Sequence, residues 1–130
     1  MNSTQILISA GEASGDLYAS RLAAELAKRT GARFFGMGGE RMREAGVEVV
    51  AHSSEVAVTG FGEAWSKLPV LRRALRRLVA EAEARKPRLA ILTDFPSFHL
   101  RLARRLKARG IPCVYFVAPQ FWAWRPWRVK

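Results

Sequence analysis

Five short apolar runs, separated by stretches of helical periodicity, constrain the fold of this chain more than any other feature of its sequence. Gln5 to Ala10 (QILISA) ends at Gly11 and reads as a buried strand. Arg33 to Met37 (RFFGM) ends in Gly38-Gly39, and Val47 to Ala51 follows as a third short strand. Leu89 to Thr93 (LAILT) has no polar alternation, as expected of a strand covered on both faces in a parallel sheet. Ile111 to Ala118 (IPCVYFVA) reads as another buried strand, broken by Pro119.

The intervening segments carry the helical spacing. Leu17, Leu22 and Leu26 recur along one face up to Arg29, and Gly31 is placed to cap that helix. A short helix is expected from about Glu40 to Ala45, stopping at Gly46. Residues 55–66 are mixed and read as a loop with some helix. Ser66 is placed to cap the next helix, and Pro69 is tolerated in a first turn whose N–H groups lack partners anyway. Leu68, Leu71, Leu75, Leu78, Val79 and Ala82 then form one stripe, ended by Lys86-Pro87. Residues 95–98 (Phe-Pro-Ser-Phe) read as a turn, followed by a basic helix from about His99 to Arg109 capped by Gly110. Alternation of this kind with short linkers predicts an α/β fold: a Rossmann-like, right-handed parallel sheet with helices on both faces. At 130 residues it is one domain or the greater part of one.

Composition excludes several classes. With 49% apolar and 25% charged residues, the chain is neither a disordered tail nor a collagen-like repeat. Its apolar runs fall far short of the ~20 residues needed to span a bilayer. Its single cysteine, Cys113, forms no internal disulfide, and no secretory signal opens the sequence, so the cytoplasm is the expected compartment.

Charge is distributed unevenly. Residues 1–64 carry six basic and eight acidic side chains, residues 65–130 sixteen and three. The second half therefore suits an anionic partner: a phosphorylated substrate, an anionic lipid surface or nucleic acid. Nucleic acid ranks last, because no recognition helix, zinc pattern or RNP motif accompanies the charge. No metal-ligand spacing and no nucleophile elbow is present, and no cofactor is expected.

The residues of chemical interest all follow the C-terminal ends of expected strands, the edge that carries the ligand crevice in open α/β sheets. Gly11, Glu12, Ser14, Gly15 and Asp16 lie in a glycine-punctuated loop between strand and helix. Its spacing fits neither a dinucleotide fingerprint nor a P-loop. Glu12 and Asp16 would repel a bare phosphate, so the loop either lines a sugar site or is a tight turn with Asp16 as helix cap. Gly38 and Gly39 close the second strand. Asp94, one of two aspartates in the chain, stands at a strand end between Phe95 and Phe98. It is either a partly desolvated general base or a cap for the helix at 99, with His99 as a candidate partner. Trp65, Leu68 and Leu71 beside Arg72 open a basic amphipathic helix, suited to a membrane interface or to covering the sheet with a solvated arginine face. Trp122, Trp124 and Trp127 near Arg125 could stack on sugars or bases, or pack against a further part of a longer protein.

Several strings together resemble the lipid A disaccharide synthases, membrane-associated glycosyltransferases of the two-domain GT-B type. They are Ala10 to Asp16 (AGEASGD), Gly36 to Gly39 with Met42, Val58 to Gly60 (VTG) with Glu63, Asp94-Phe95-Pro96 with Phe98, Leu106-Lys107 with Gly110-Ile111, and Pro119 with residues 122–125 (WAWR). The resemblance covers essentially the whole chain, which would be about the first third of such an enzyme: an acceptor-side domain, residues 1–130, without the C-terminal nucleotide-sugar domain. It implies inverting transfer of 2,3-diacylglucosamine from its UDP derivative to 2,3-diacylglucosamine 1-phosphate, forming a β-1,6 disaccharide. It further implies Asp94 as general base. Gly11, Glu12, Ser14, Gly15, Asp16, Gly38, Gly39, His99, Pro119, Gln120, Trp122 and Arg125 would line the substrate site. Trp65, Leu68, Leu71 and Arg72 would face an anionic membrane, at the inner face of the plasma membrane. A homo-oligomer is left open. Ser97 and His99 stand where the family commonly has an acidic residue and an asparagine. If those groups orient the base or acceptor, activity differs here. Lacking the second domain, the chain alone is expected not to transfer sugar at a useful rate; the alternative is a truncated or diverged non-catalytic module that binds anionic lipid or a membrane surface through its basic half.

Overall fold

The computed structural model describes residues 4–56 and 68–116. In chain order the elements are β1 (Gln5–Ser9), α1 (Ala13–Thr30), β2 (Arg33–Gly38), α2 (Glu40–Glu44), β3 (Glu48–His52), α3 (Ser53–Val56), α4 (Leu68–Arg85), β4 (Leu89–Thr93), α5 (Pro96–Lys107) and β5 (Cys113–Phe116). All neighbouring strands are parallel, in the order β3-β2-β1-β4-β5.

Side-chain alternation along the strands feeds two cores. Leu7, Phe35, Leu92 and Ala90 point to one face, where Leu75, Leu78 and Ala82 of α4 and Leu102 and Leu106 of α5 cover them. Ile6, Ile8, Phe34 and Ile91 point to the other, against Ala19 and Ala23 of α1 and Met42 of α2. Each fully buried leucine or phenylalanine contributes about 1.5–3 kcal/mol. Arg85, at the end of α4, fastens that helix to the sheet. Its guanidinium grips Glu48 with two bonds of 2.8 and 3.0 Å, pairs with Glu81 at 2.9 Å, and lies 4.8 Å over the Phe35 ring. These contacts hold the Glu48 carboxyl below its usual range.

Some expectations change. The loop after β1 is short, because α1 begins at Ala13, so Ser14, Gly15 and Asp16 belong to its first turn. Residues 96–98 likewise lie in α5, with Pro96 opening it rather than forming a turn. Gly31 caps α1 in a left-handed conformation, as its position suggests. The last apolar run is less buried than its composition indicates: Val114 is 50% and Tyr115 40% exposed. Among the described residues β5 is the edge of the sheet, and no helix covers Val114. Residues 57–67, including Trp65 and Ser66, and residues 117–130, including Pro119, Gln120, Trp122 and Arg125, lie outside the described part.

Candidate functional site

The strand order places the topological switch between β1 and β4. From β1 the chain steps outward through β2 and β3, then returns to the other side of β1. A crevice opens at such a point, beyond the carboxyl ends of the strands, because the flanking connections diverge to opposite faces. Gly11 follows β1 there, and Asp94 follows β4.

These two segments meet directly. One oxygen of the Asp94 carboxylate accepts the Gly11 N–H at 2.8 Å, and the other accepts the Glu12 N–H at 3.3 Å. Glu12 is the N-cap of α1 and makes no side-chain cap of its own. The aspartate therefore serves the start of α1, where free N–H groups and the helix dipole favour an anion. It does not cap its own helix, the alternative open at the sequence level. Gly15 makes this approach possible, since a Cβ there would overlap the Asp94 carboxylate. Gly11 similarly leaves room for Phe95, whose ring carbon would lie 2.6 Å from an added Cβ.

The Asp94 backbone is strained. Asp94 and Phe95 both adopt positive φ, 34° and 41°. For residues other than glycine this costs roughly 1–2 kcal/mol each. The surroundings hold the turn in place. The Asp94 carbonyl accepts from the Tyr115 hydroxyl at 2.6 Å and bonds the His99 ring at 2.7 Å. Phe95 stacks on Phe98 with centroids 5.6 Å apart. The carboxyl group itself is half-buried, and that burial pushes its pKa above the usual carboxylate range. The Gly11 and Glu12 N–H groups oppose the shift, and the charge of Asp16 adds to it. Such a group can take a proton from a hydroxyl held at the rim.

The second aspartate has a different task. Asp16 is only 6% exposed. Its carboxylate accepts N–H bonds from Gly39 at 2.8 Å, Arg41 at 3.1 Å and Met42 at 3.1 Å. It caps α2 from a distance of 23 to 26 residues rather than its own helix. Gly38 and Gly39 are buried beneath this contact, with an added Cβ at Gly39 only 2.8 Å from Asp16. His99 is fully buried and touches the Asp94 main chain, not its carboxylate.

The expected site residues thus divide. Asp94, Glu12 and Ser14 present polar groups at the rim, and Gly11 and Gly15 shape its floor. Asp16, Gly38, Gly39 and His99 lie behind it as supports. Leu68, Leu71 and Arg72 line an apolar groove of about 290 Å³ between α4 and α5, together with Leu75, Phe98 and Arg101. Phe95 is shared between this groove and the Asp94 turn. A second hollow, about 630 Å³, lies between α4 and β3 and carries Arg43, Arg73, Arg76 and Arg77. Sequence reasoning missed Ser9 and Tyr115. Ser9, a hydroxyl near the end of the first apolar run, was a usable signal; Tyr115 carried none. Among the described residues no group of three or more His, Cys, Asp or Glu side chains could hold a metal ion.

Residues 6–130 match the family model described as lipid-A-disaccharide synthetase. The chain belongs to that family. The lipid-A-disaccharide synthase of Koribacter versatilis is 49% identical over 128 residues, which is 97% of this chain and 34% of that protein. The chain thus spans about a third of the length of the curated relatives it matches. Its fold resembles a third of the calicheamicin glycosyltransferase structure, with a TM-score of 0.56 at 23% identity over 90% of this chain. It also resembles the C-terminal domain of a hydrogenase from Pyrococcus furiosus, with a TM-score of 0.64 at 14% identity, covering 88% of this chain and 91% of that one. The architecture is therefore shared across unrelated chemistry, and the site distinguishes the members.

Proposed function

We propose that this chain is the N-terminal, acceptor-side part of an inverting glycosyltransferase of lipid A biosynthesis. The complete enzyme transfers 2,3-diacylglucosamine from its UDP derivative to 2,3-diacylglucosamine 1-phosphate. A second domain, contributed beyond these residues, holds the nucleotide. Asp94 takes the proton from the acceptor 6-hydroxyl as that oxygen attacks the anomeric carbon. The new glycosidic bond forms on the face opposite the breaking bond, and UDP departs with the electron pair. The carrying observation is the half-buried Asp94 carboxylate at the switch point, pushed toward a higher pKa by burial and facing the rim beside Glu12.

Asp94→Asn in the complete enzyme tests this reading. A general base contributes typically 10²–10⁴-fold, so kcat should fall by about that much with KM and melting temperature little changed. Near-normal turnover would remove Asp94 from the role.

The acyl substrates reside in a bilayer, and α4 supplies a means of meeting one. Leu68, Leu71 and Leu75 are apolar beside Arg72, and Arg73, Arg76 and Arg77 turn toward the neighbouring hollow. Peripheral attachment to an anionic membrane follows, each basic side chain near the surface adding about 1 kcal/mol. No helix among the described residues is long and apolar enough to cross a membrane. Binding to anionic vesicles should weaken with salt and with Arg72→Glu; salt-independent binding would contradict this attachment.

A further inference from the structure

We propose that His99 is a positioning residue, whose buried imidazole holds the Asp94–Phe95 turn in the conformation that presents the carboxylate. This rests on the assignment of Asp94 as base and names what keeps that base in place.

The ring lies between two polar atoms. Nδ1 is 2.7 Å from the Asp94 carbonyl oxygen, and Nε2 is 2.7 Å from Ser9 Oγ. A carbonyl oxygen only accepts, so Nδ1 carries the proton. Burial favours the neutral ring, which leaves Nε2 as acceptor for the Ser9 hydroxyl. Ser9 is held in turn, because its own carbonyl accepts the Thr93 hydroxyl at 3.1 Å. The imidazole meets Phe98 and Tyr115 edge to face, with centroids 5.5 and 6.5 Å away, so an aromatic ring flanks it on each of these contacts.

One atom collects the consequence. The Asp94 carbonyl takes both the His99 Nδ1–H and the Tyr115 hydroxyl. Tyr115 is 40% exposed, and its bond competes with water; the His99 bond is part-buried and comes from a fully buried ring. The backbone at 94 and 95 sits at positive φ, which relaxes once its restraint is lost. Relaxation would swing the carboxylate off the Gly11 and Glu12 N–H groups, which it now meets from within that turn.

The experiment compares His99→Leu and His99→Asn in the complete enzyme. Leucine fills the volume with no donor. The asparagine Nδ2 is attached to Cγ as Nδ1 is, so it can restore the bond to Asp94 while failing to reach Ser9. His99→Leu should lower kcat about 100-fold with KM within about twofold, move the pH limb assigned to Asp94, and shift the Gly11 and Glu12 amide proton resonances upfield. His99→Asn should bring kcat within about fivefold of wild type and restore both amide shifts. Wild-type amide shifts and kcat in His99→Leu would overturn the proposal, as would an asparagine variant no better than leucine. If His99→Leu does not fold, Ser9→Ala decides: the imidazole ¹⁵N spectrum should show Nε2 losing its hydroxyl donor while Nδ1 keeps the proton that the Asp94 carbonyl fixes, together with a Gly11 amide shift, and an unchanged Gly11 amide overturns the proposal. The amide and ring shifts do not depend on turnover. Failure of the base assignment, seen as an active Asp94→Asn enzyme, is therefore distinguishable from failure of this one.

Discussion

Replacing Asp16 by alanine should be among the most destabilising single changes behind the rim, although it removes only a small side chain. Three backbone N–H groups at the start of α2 depend on its two oxygens. The N-cap residue of α2 is Gly39, which offers no side chain in compensation. Loss of an ordinary N-cap costs roughly 0.5–2 kcal/mol. Here the acceptor is charged and almost fully buried, and bonds to charged groups are worth about 1.5–3 kcal/mol. Since the sites at Gly39 and Met42 are also buried, water repairs them poorly. We expect Asp16→Ala to cost about 3–5 kcal/mol, or roughly 12–20 °C in melting temperature at about 4 °C per kcal/mol for a domain of this size. Asp16→Asn keeps one accepting oxygen but sets an amide against one N–H, and should cost about half as much. Urea denaturation of the purified protein, with the midpoint read at constant m, measures both. If both variants unfold within about 0.5 kcal/mol of wild type, the capping of α2 by Asp16 is not what organises this corner. Asp94→Asn provides the control. Here too an amide is set against one N–H, but that of Glu12 is bonded at 3.3 Å in an exposed position and the charge removed is opposed by burial, so stability should change by less than about 1 kcal/mol.

Three other outcomes follow from the same geometry. Gly15→Ala sets a methyl group on the Asp94 carboxylate, and should lower sugar transfer by the complete enzyme at least 100-fold; overpacking costs about 1–3 kcal/mol and alanine returns about 1 kcal/mol in helix propensity, so stability read by melting should fall by no more than about 2 kcal/mol. Burial holds the His99 pKa below 6.5, so the unfolded ring binds a proton that the folded one refuses. Its contribution to stability is complete above pH 6.5 and is lost as pH falls toward the folded pKa; the urea midpoint should drop between pH 7 and 5, and His99→Asn should flatten that slope. Arg85→Lys loses the two-pronged grip on Glu48 and the contact with Phe35, and should cost about 1 kcal/mol by thermal melting, less in high salt because Glu48 faces solvent.

The five strands and the long helices were legible because each depends on spacing within its own segment. Leu89 to Thr93 announces burial on both faces by lacking polar alternation, and the stripe from Leu68 to Ala82 announces a helix by its period. Asp94 was legible as a strand-end carboxylate for the same local reason. The start of α1 was not, because the group that binds the two N–H donors leading into it, Gly11 and Glu12, lies 83 and 82 residues away.

What the amino-acid order determined alone is the alternation of β and α, and hence a parallel sheet whose chemistry gathers at one edge. Only the tertiary structure decided which strand neighbours which, and with it the fates of similar residues: Asp16 became the cap of α2, Asp94 a half-buried carboxylate on the Gly11 and Glu12 N–H groups, and His99 a buried ring bonded to Ser9, 90 residues distant. Periodicity records which side of an element is apolar. It carries no record of which polar atom, far along the chain, will meet a given donor, and burial then makes that meeting obligatory.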